Sequence, residues 1–164
     1  MTTHEGGCLC GGIRYQTVGQ PDRIVFCHCK FCQRATGTAY LVETMFPRTR
    51  FKLLQGTPAT YATISAGSGR PIAINFCSTC GTKIYLDLAR VPGDVGLYSG
   101  TFDDPGWFER KPANSKHIFL DFAQPGTLIP SGMPVFHEHV TRRDGSATDA
   151  IVFAEPHEVG RAST

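Results

Sequence analysis

Apolar and polar residues alternate along this chain in short stretches, and no 12-residue window shows a helical period with caps. Residues 13–18, 23–26, 39–45, 51–54, 60–64, 72–76, 84–88 and 95–98 have the length and the β-branched or aromatic content of strands. Turn signals part them: Gln20-Pro21-Asp22, Gly56-Thr57-Pro58, the stretch 65–71, Val91-Pro92-Gly93-Asp94 and Asp103-Asp104-Pro105-Gly106. Residues 116–122 predict one more strand, 124–134 an ordered proline-rich crossing, and 151–154 a last short strand. Disorder is expected beyond Glu155. Residues 33–37 are too few for a free helix and predict a single turn. The pattern is that of a mainly β, antiparallel fold with minor helix, the part after Thr101 forming a lobe on the same core.

Composition sharpens this reading. A length of 164 residues makes one ordinary domain. Eighteen glycines and eleven prolines favour turns over a helical bundle. Sixteen Lys and Arg against fourteen Asp and Glu give a formal +2, and no basic run exceeds two residues. Nucleic-acid binders concentrate basic charge on one face, so no nucleic-acid partner is expected. No run of 18 apolar residues exists, so no membrane span is expected either. The opening MTTHEGGCLCGG lacks the basic start and apolar stretch of a secretion signal, which predicts a cytoplasmic protein.

Cysteine carries the chemistry. The seven cysteines fall into three groups: Cys8 and Cys10; Cys27, Cys29 and Cys32; Cys77 and Cys80. An odd number in a cytosolic chain reads better as metal ligands than as disulfides. The Cys77-Ser78-Thr79-Cys80-Gly81 run is a metal knuckle, its glycine permitting a tight turn. Two divisions are open. In one, Cys8, Cys10, Cys77 and Cys80 close a four-thiolate site and leave Cys27, Cys29 and Cys32 with an open position. In the other, the middle group joins one of its neighbours and leaves a spare pair. Spacing prefers neither.

The first division would staple positions about 67 apart, a closure worth about 4 kcal/mol by chain entropy. Seven thiolates and two Zn²⁺ would take the formal charge from +2 to −1, which further weakens any polyanion reading. His28 lies between two cysteines. In an extended segment it points away from them, toward a pocket or a hydrogen bond. His117 belongs to a strand pattern and should be packed, and His137 and His139, in an extended segment, share one face as candidates for a weak surface metal site.

The runs GGCLCGGIRY at 6–15, CHCKFCQRATG at 27–37 and FCSTCGTKIY at 76–85 resemble the glutathione-dependent formaldehyde-activating enzymes, whose domain is shared with centromere protein V. Weaker matches are YSGTFDDP at 98–105 and SKHIFLDFAQPGTLIPSGMP at 115–134. The likeness covers residues 4–140 and leaves 141–164 as a partly flexible C-terminal extension. It implies a compact Mss4-like (β-tent) zinc-binding fold with two Zn²⁺ per chain. One zinc, structural, would lie on Cys8, Cys10, Cys77 and Cys80, and the other in an open site on Cys27, Cys29 and Cys32. That second site would meet the thiol of glutathione and its formaldehyde adduct. The chain departs from the family where a basic pair often follows the middle cysteines, since here the residues are Gln33 and Arg34. It departs again where a proline–tryptophan pair is common, since here Gln124-Pro125-Gly126-Thr127 stands.

The expected function is that of a zinc-dependent carbon–sulfur lyase or synthase acting on thiol adducts such as S-hydroxymethylglutathione, with Cys27, Cys29 and Cys32 at the catalytic centre. The alternatives are a non-catalytic zinc module for a protein or thiol ligand, and a redox or metal-storage role. Lys30, Arg34, Arg70 and Lys111 are candidate cations for the two carboxylates of glutathione, and His28, Tyr40 and Asp103 are candidate proton-transfer groups.

Overall fold

The computed structural model describes residues 2–65, 69–142 and 144–160. In chain order its strands are β1 (Thr3–Gly7), β2 (Arg14–Val18), β3 (Arg23–Cys27), β4 (Leu41–Pro47), β5 (Phe51–Gln55), β6 (Ala59–Ile64), β7 (Pro71–Phe76), β8 (Lys83–Leu88), β9 (Asp94–Tyr98), β10 (Ser115–Ile118), β11 (Leu128–Ile129), β12 (Pro134–Val135), β13 (Ile151–Val152) and β14 (His157–Glu158). One α-helix, α1 (Lys30–Thr36), follows β3. The protein is mainly β with one helix, a composition consistent with the Mss4-like fold. The chain separates into two compact units. One takes residues up to Arg23 together with Val42–Glu109, and the other takes Ile24–Leu41 and everything from Arg110 onward.

In the first unit, β1, β2 and β5 form an antiparallel sheet. Strand β2 alternates strictly, so Tyr15 and Thr17 are buried while Arg14 and Gln16 are not. The Tyr15 ring meets Phe51 and Phe102, and its hydroxyl bonds to Thr101 at 2.8 Å. A second run of strands, β4-β9-β8-β7-β6, is antiparallel throughout. Both of its faces are buried, Phe46, Val95 and Leu97 lying on one and Ile84 and Leu86 on the other. Burying a side chain of that size stabilises by about 1.5–3 kcal/mol.

Two hairpin turns of this unit carry cysteines. Between β1 and β2, Cys8 N donates to Ile13 O and Gly11 N to Cys8 O. Between β7 and β8, Cys77 N donates to Thr82 O and Gly81 N to Cys77 O. Each turn needs one left-handed residue, and Gly11 and Gly81 supply it at φ 74°.

In the second unit, β3 and β12 both run parallel to β10, and β13 pairs antiparallel with β12. Strand β11 pairs with β14. A small core of Ile129, Met133 and Val135 is covered by Leu120, Phe153 and Val159.

The sequence pattern located most of the strands, and several expectations need correction. The sheet is not antiparallel throughout: alternation along a strand reports which face is buried, not the direction of its neighbour. Strand β1 was hidden because glycine and charge obscure its short pattern. Strand β10 ends at Ile118, since Phe119 takes φ 62° and Leu120–Phe122 turns as a 3-10 helix. Helix α1 starts three residues before the expected turn, because Cys29 caps it: the Cys29 Sγ accepts from Cys32 N, and Gly37 closes the far end at φ 70°. Beyond Glu155, β14 pairs with β11 rather than being disordered. Ala66, Gly67 and Ser68 of the expected loop, and residues 161–164 of the expected tail, lie outside the described residues. The second unit is not a lobe that begins after Thr101, for it also takes in the CHCKFC segment.

Candidate metal centres

The structure gathers the seven cysteines as two groups. Cys8, Cys10, Cys77 and Cys80 have sulfurs within 4.8 Å of one another, and so do Cys27, Cys29 and Cys32. This is the first of the two divisions that spacing left open. All seven are free thiols.

The four-cysteine group fits a tetrahedral metal. Zinc–sulfur bonds of about 2.3 Å put the sulfurs of a tetrahedron about 3.8 Å apart. The sulfurs of Cys8 and Cys10 are 3.5 Å apart, and those of Cys10 and Cys77 are 3.6 Å apart. Both distances exceed the ~2.05 Å of a disulfide. Polar groups already face the sulfurs. Ile13 N donates to Cys8 Sγ at 3.2 Å, and the Thr82 hydroxyl lies 3.2 Å from Cys80 Sγ. Thr82 Oγ1 also accepts from Leu9 N at 3.2 Å, tying one knuckle to the other.

The protons respond to this crowding. The Thr82 hydroxyl and backbone N–H hold Cys80 down to about 5. The Gly12 N–H favours the Cys10 thiolate, yet the sulfurs of Cys8, Cys80 and Cys77 push Cys10 up to about 12. Four sulfurs this close do not all ionise on their own. A divalent cation is what lets them do so, and the donor set fits one.

The three-cysteine group follows from how β3 runs into α1. Cys27 ends β3, Cys29 is the helix cap, and Cys32 lies in the first turn of α1 with its side chain buried. Cys29 is pushed down to about 3 because the thiols of Cys27 and Cys32 both donate to it. Its own charge and hydrogen bond, together with burial, raise Cys27 well above the usual thiol range. Among the described residues no further His, Cys, Asp or Glu joins either group.

His28 points as alternation requires. It is fully buried, and its Nε2 lies 2.9 Å from His117 Nδ1. The His117 ring stacks on Phe26 at 4.4 Å, on the same face of β3 as His28. Burial pushes both imidazoles down to about 4, so both are neutral near pH 7 and one donates to the other. Tyr40 lies beside His28, ring centroids 5.0 Å apart. Asp103 is elsewhere, in the first unit, where the hydrogen bond from Arg14, 2.5 Å away, lowers its carboxyl below the usual carboxylate value. His137 bonds Asp121 at 2.6 Å, and neither His137 nor His139 belongs to a metal-ligating group among the described residues.

Of the candidate cations, Lys30 and Arg34 are exposed on α1, with Lys30 Nζ 5.5 Å from the centre of the Phe122 ring. Lys111 lies in the same unit and Arg70 in the other. Sequence reasoning noticed Gln33 only as a departure from a pattern. In the structure its amide bonds three groups: Nε2 donates to His28 O at 2.6 Å and to Phe122 O at 2.7 Å, and Oε1 accepts from Gln124 at 3.0 Å. No local signal marks such a clamp, because its partners lie 5 and about 90 positions away.

Fold and site together define a mainly β protein whose strand ends present two groups of thiols suited to zinc. The model of the glutathione-dependent formaldehyde-activating enzyme family matches residues 3–121, and the chain belongs to that family. A solved structure of a Rhodobacter sphaeroides protein is similar over 61% of this chain and 88% of that one, with 19% identity and a TM-score of 0.49. No helix among the described residues is long and apolar enough to cross a membrane.

Proposed function

We propose that this protein is a zinc-dependent enzyme that makes or breaks the carbon–sulfur bond of thiol–aldehyde adducts, with S-hydroxymethylglutathione as the representative substrate. One observation carries the reading: four sulfurs converge in one group and three in the other. In this reading Cys8, Cys10, Cys77 and Cys80 hold a closed structural zinc. Cys27, Cys29 and Cys32 hold a second zinc with one position left for substrate. Zinc at the three-cysteine group would supply a Lewis-acid position that lowers the proton affinity of an incoming thiol.

The chemistry balances without a further reactant. In the forward direction a sulfur–carbon bond forms, the aldehyde C=O π bond opens, and the thiol proton ends on the new hydroxyl. In reverse the carbon–sulfur bond breaks and the hydroxyl proton returns to sulfur.

The chain's own residues support an anionic thiol. Lys30 and Arg34 stand at i and i+4 of α1, which begins beside Cys29. Like charges at that spacing cost a helix a few tenths of a kcal/mol, about 0.2–0.5. A substrate with two carboxylates offsets that cost and gives the pair a reason to be there. The exposed Phe122 ring beneath Lys30 offers an apolar surface beside them. A domain spanning 4–140, a C-terminal extension at 141–164, and a cytoplasmic location that keeps the seven thiols reduced belong to the same reading.

Two measurements test it on the full chain: zinc content after purification under reducing conditions, and exchange between ¹³C-formaldehyde and its glutathione adduct followed by NMR. The expected result is two zinc per chain and adduct exchange faster than in buffer, the acceleration being lost in Cys29→Ser. Two zinc with no acceleration would replace the enzyme reading by that of a binding module.

A further inference from the structure

The segment that carries Cys27 and Cys29 is held at the one residue between them from three directions. His28 N donates to Ile118 O at 3.0 Å. His28 O accepts from Gln33 Nε2 at 2.6 Å. The His28 ring meets His117 Nδ1 at 2.9 Å. These contacts come from the backbone of β10, from α1 and from a β10 side chain.

Neither imidazole belongs to the cysteine group. Among the described residues His28 Nδ1 and His117 Nε2 are buried without a hydrogen-bond partner, so this pair is costlier to keep than two apolar residues of the same size. The Gln33 amide is committed as well, because its nitrogen is bonded to two carbonyls and its oxygen to Gln124. It also joins α1 to the Leu120–Phe122 turn, whose start is fixed by the left-handed Phe119.

We propose that Gln33 and His117 are positioning residues for the three-cysteine centre: together they fix the backbone and ring of His28, and through it the separation and direction of the Cys27 and Cys29 sulfurs. The inference rests on the metal reading of that group given above. The physical reason is the short lever. Cys27 and Cys29 flank a single residue, so small changes in its torsions move their sulfurs relative to each other. A metal site tolerates deviations of only about 0.2 Å in ligand distance. Cys32 is fixed separately, by α1 and its cap. An apolar residue would serve packing equally well, whereas an amide bonded to two carbonyls restrains direction.

Cobalt(II) separates this role from simple packing. The full-length chain is loaded stepwise with cobalt, and the sulfur-to-cobalt and d–d bands are recorded for each equivalent. Zinc affinities of both sites are then measured by competition with a chromogenic chelator. The variants are Gln33→Met, which keeps length and helix propensity but removes the donors, and His117→Phe, which keeps a flat ring against Phe26. Partners of this kind typically change metal affinity 10–100-fold.

The three-cysteine site should therefore weaken about 10–100-fold in each variant, with altered d–d bands. The four-cysteine site should stay within about twofold, so that it serves as an internal control for the fold. Unchanged affinity and spectra at the three-cysteine site in Gln33→Met overturn the inference, as does equal weakening of both sites. Gln33 is only half-buried, so its variant decides the matter even if His117→Phe fails to fold. A wild-type chain that takes up a single cobalt overturns the metal reading itself, and this inference with it, before any variant is compared.

Discussion

Gly6 shows how tightly single positions of this chain are constrained. It sits on β1 with no room for a side chain, because a Cβ there would overlap the Thr101 carbonyl and the Tyr15 hydroxyl. The Thr101 obstacle is backbone, so it does not swing aside as the tip of a lysine would. Tyr15 is fully buried and its hydroxyl is bonded to Thr101, so it does not yield either. Gly6→Ala is expected to cost about 1–3 kcal/mol, the usual range for overpacking, and to lower the thermal midpoint by several degrees. A melting curve that coincides with wild type would show that β1 shifts freely. In the sequence Gly6 stands out only as the first residue of the GGCLCGGIRY run. Its real constraint comes from Thr101, and a contact across that separation has no local signature.

At the scale of elements, the two cysteine groups differ in what holds their ligands. Cys77 lies in the β7–β8 turn and converges with the β1–β2 turn, so a metal held there would tie two hairpins of one unit. Cys27, Cys29 and Cys32 lie within six consecutive positions and tie only β3 to α1. Loss of a ligand should therefore have unequal consequences. Cys77→Ser is expected to lower stability broadly, because a metal that bridges distant segments is a folding ligand. Cys29→Ser should keep the far-ultraviolet circular dichroism and lose one zinc equivalent. Native-like melting with full zinc in Cys77→Ser would refute the structural role, and global unfolding of Cys29→Ser would make both sites structural. The elements themselves were largely legible, since period-two alternation marks a half-buried strand directly. The start of α1 was not. Its cap is a cysteine, whose sulfur accepts the Cys32 N–H in place of the usual Ser, Thr, Asp or Asn.

At the scale of the whole molecule, metal should leave in two stages. A site with three protein ligands presents its metal to a competing chelator, whereas four thiolates enclose theirs. Increasing chelator is expected to remove one equivalent with the circular dichroism unchanged. The second should leave together with a cooperative loss of structure. Simultaneous release of both equivalents would mean that the sites are energetically one. Stability measured at fixed chelator should rise with added zinc, as it does for anything that binds the folded chain alone.

What the sequence determined by itself is what depends on neighbours along the chain. Strand positions follow from alternation, turns follow from glycine and proline, and the family follows from three cysteine runs whose internal spacing is local. The tight turn at Cys77 and Cys80 was readable because a pair of cysteines three apart, closed by glycine, needs only local chain reversal. What the tertiary structure decided is what depends on segments far apart. It chose Cys77 and Cys80 as the partners of Cys8 and Cys10, although two divisions were equally consistent with spacing. It ran β3, β10 and β12 parallel, and it stopped β10 at Phe119. It joined His28 to His117 and aimed the Gln33 amide at two carbonyls. Most of these rest on contacts between groups far apart in sequence, where side-chain pattern alone carries no information about which segment will arrive.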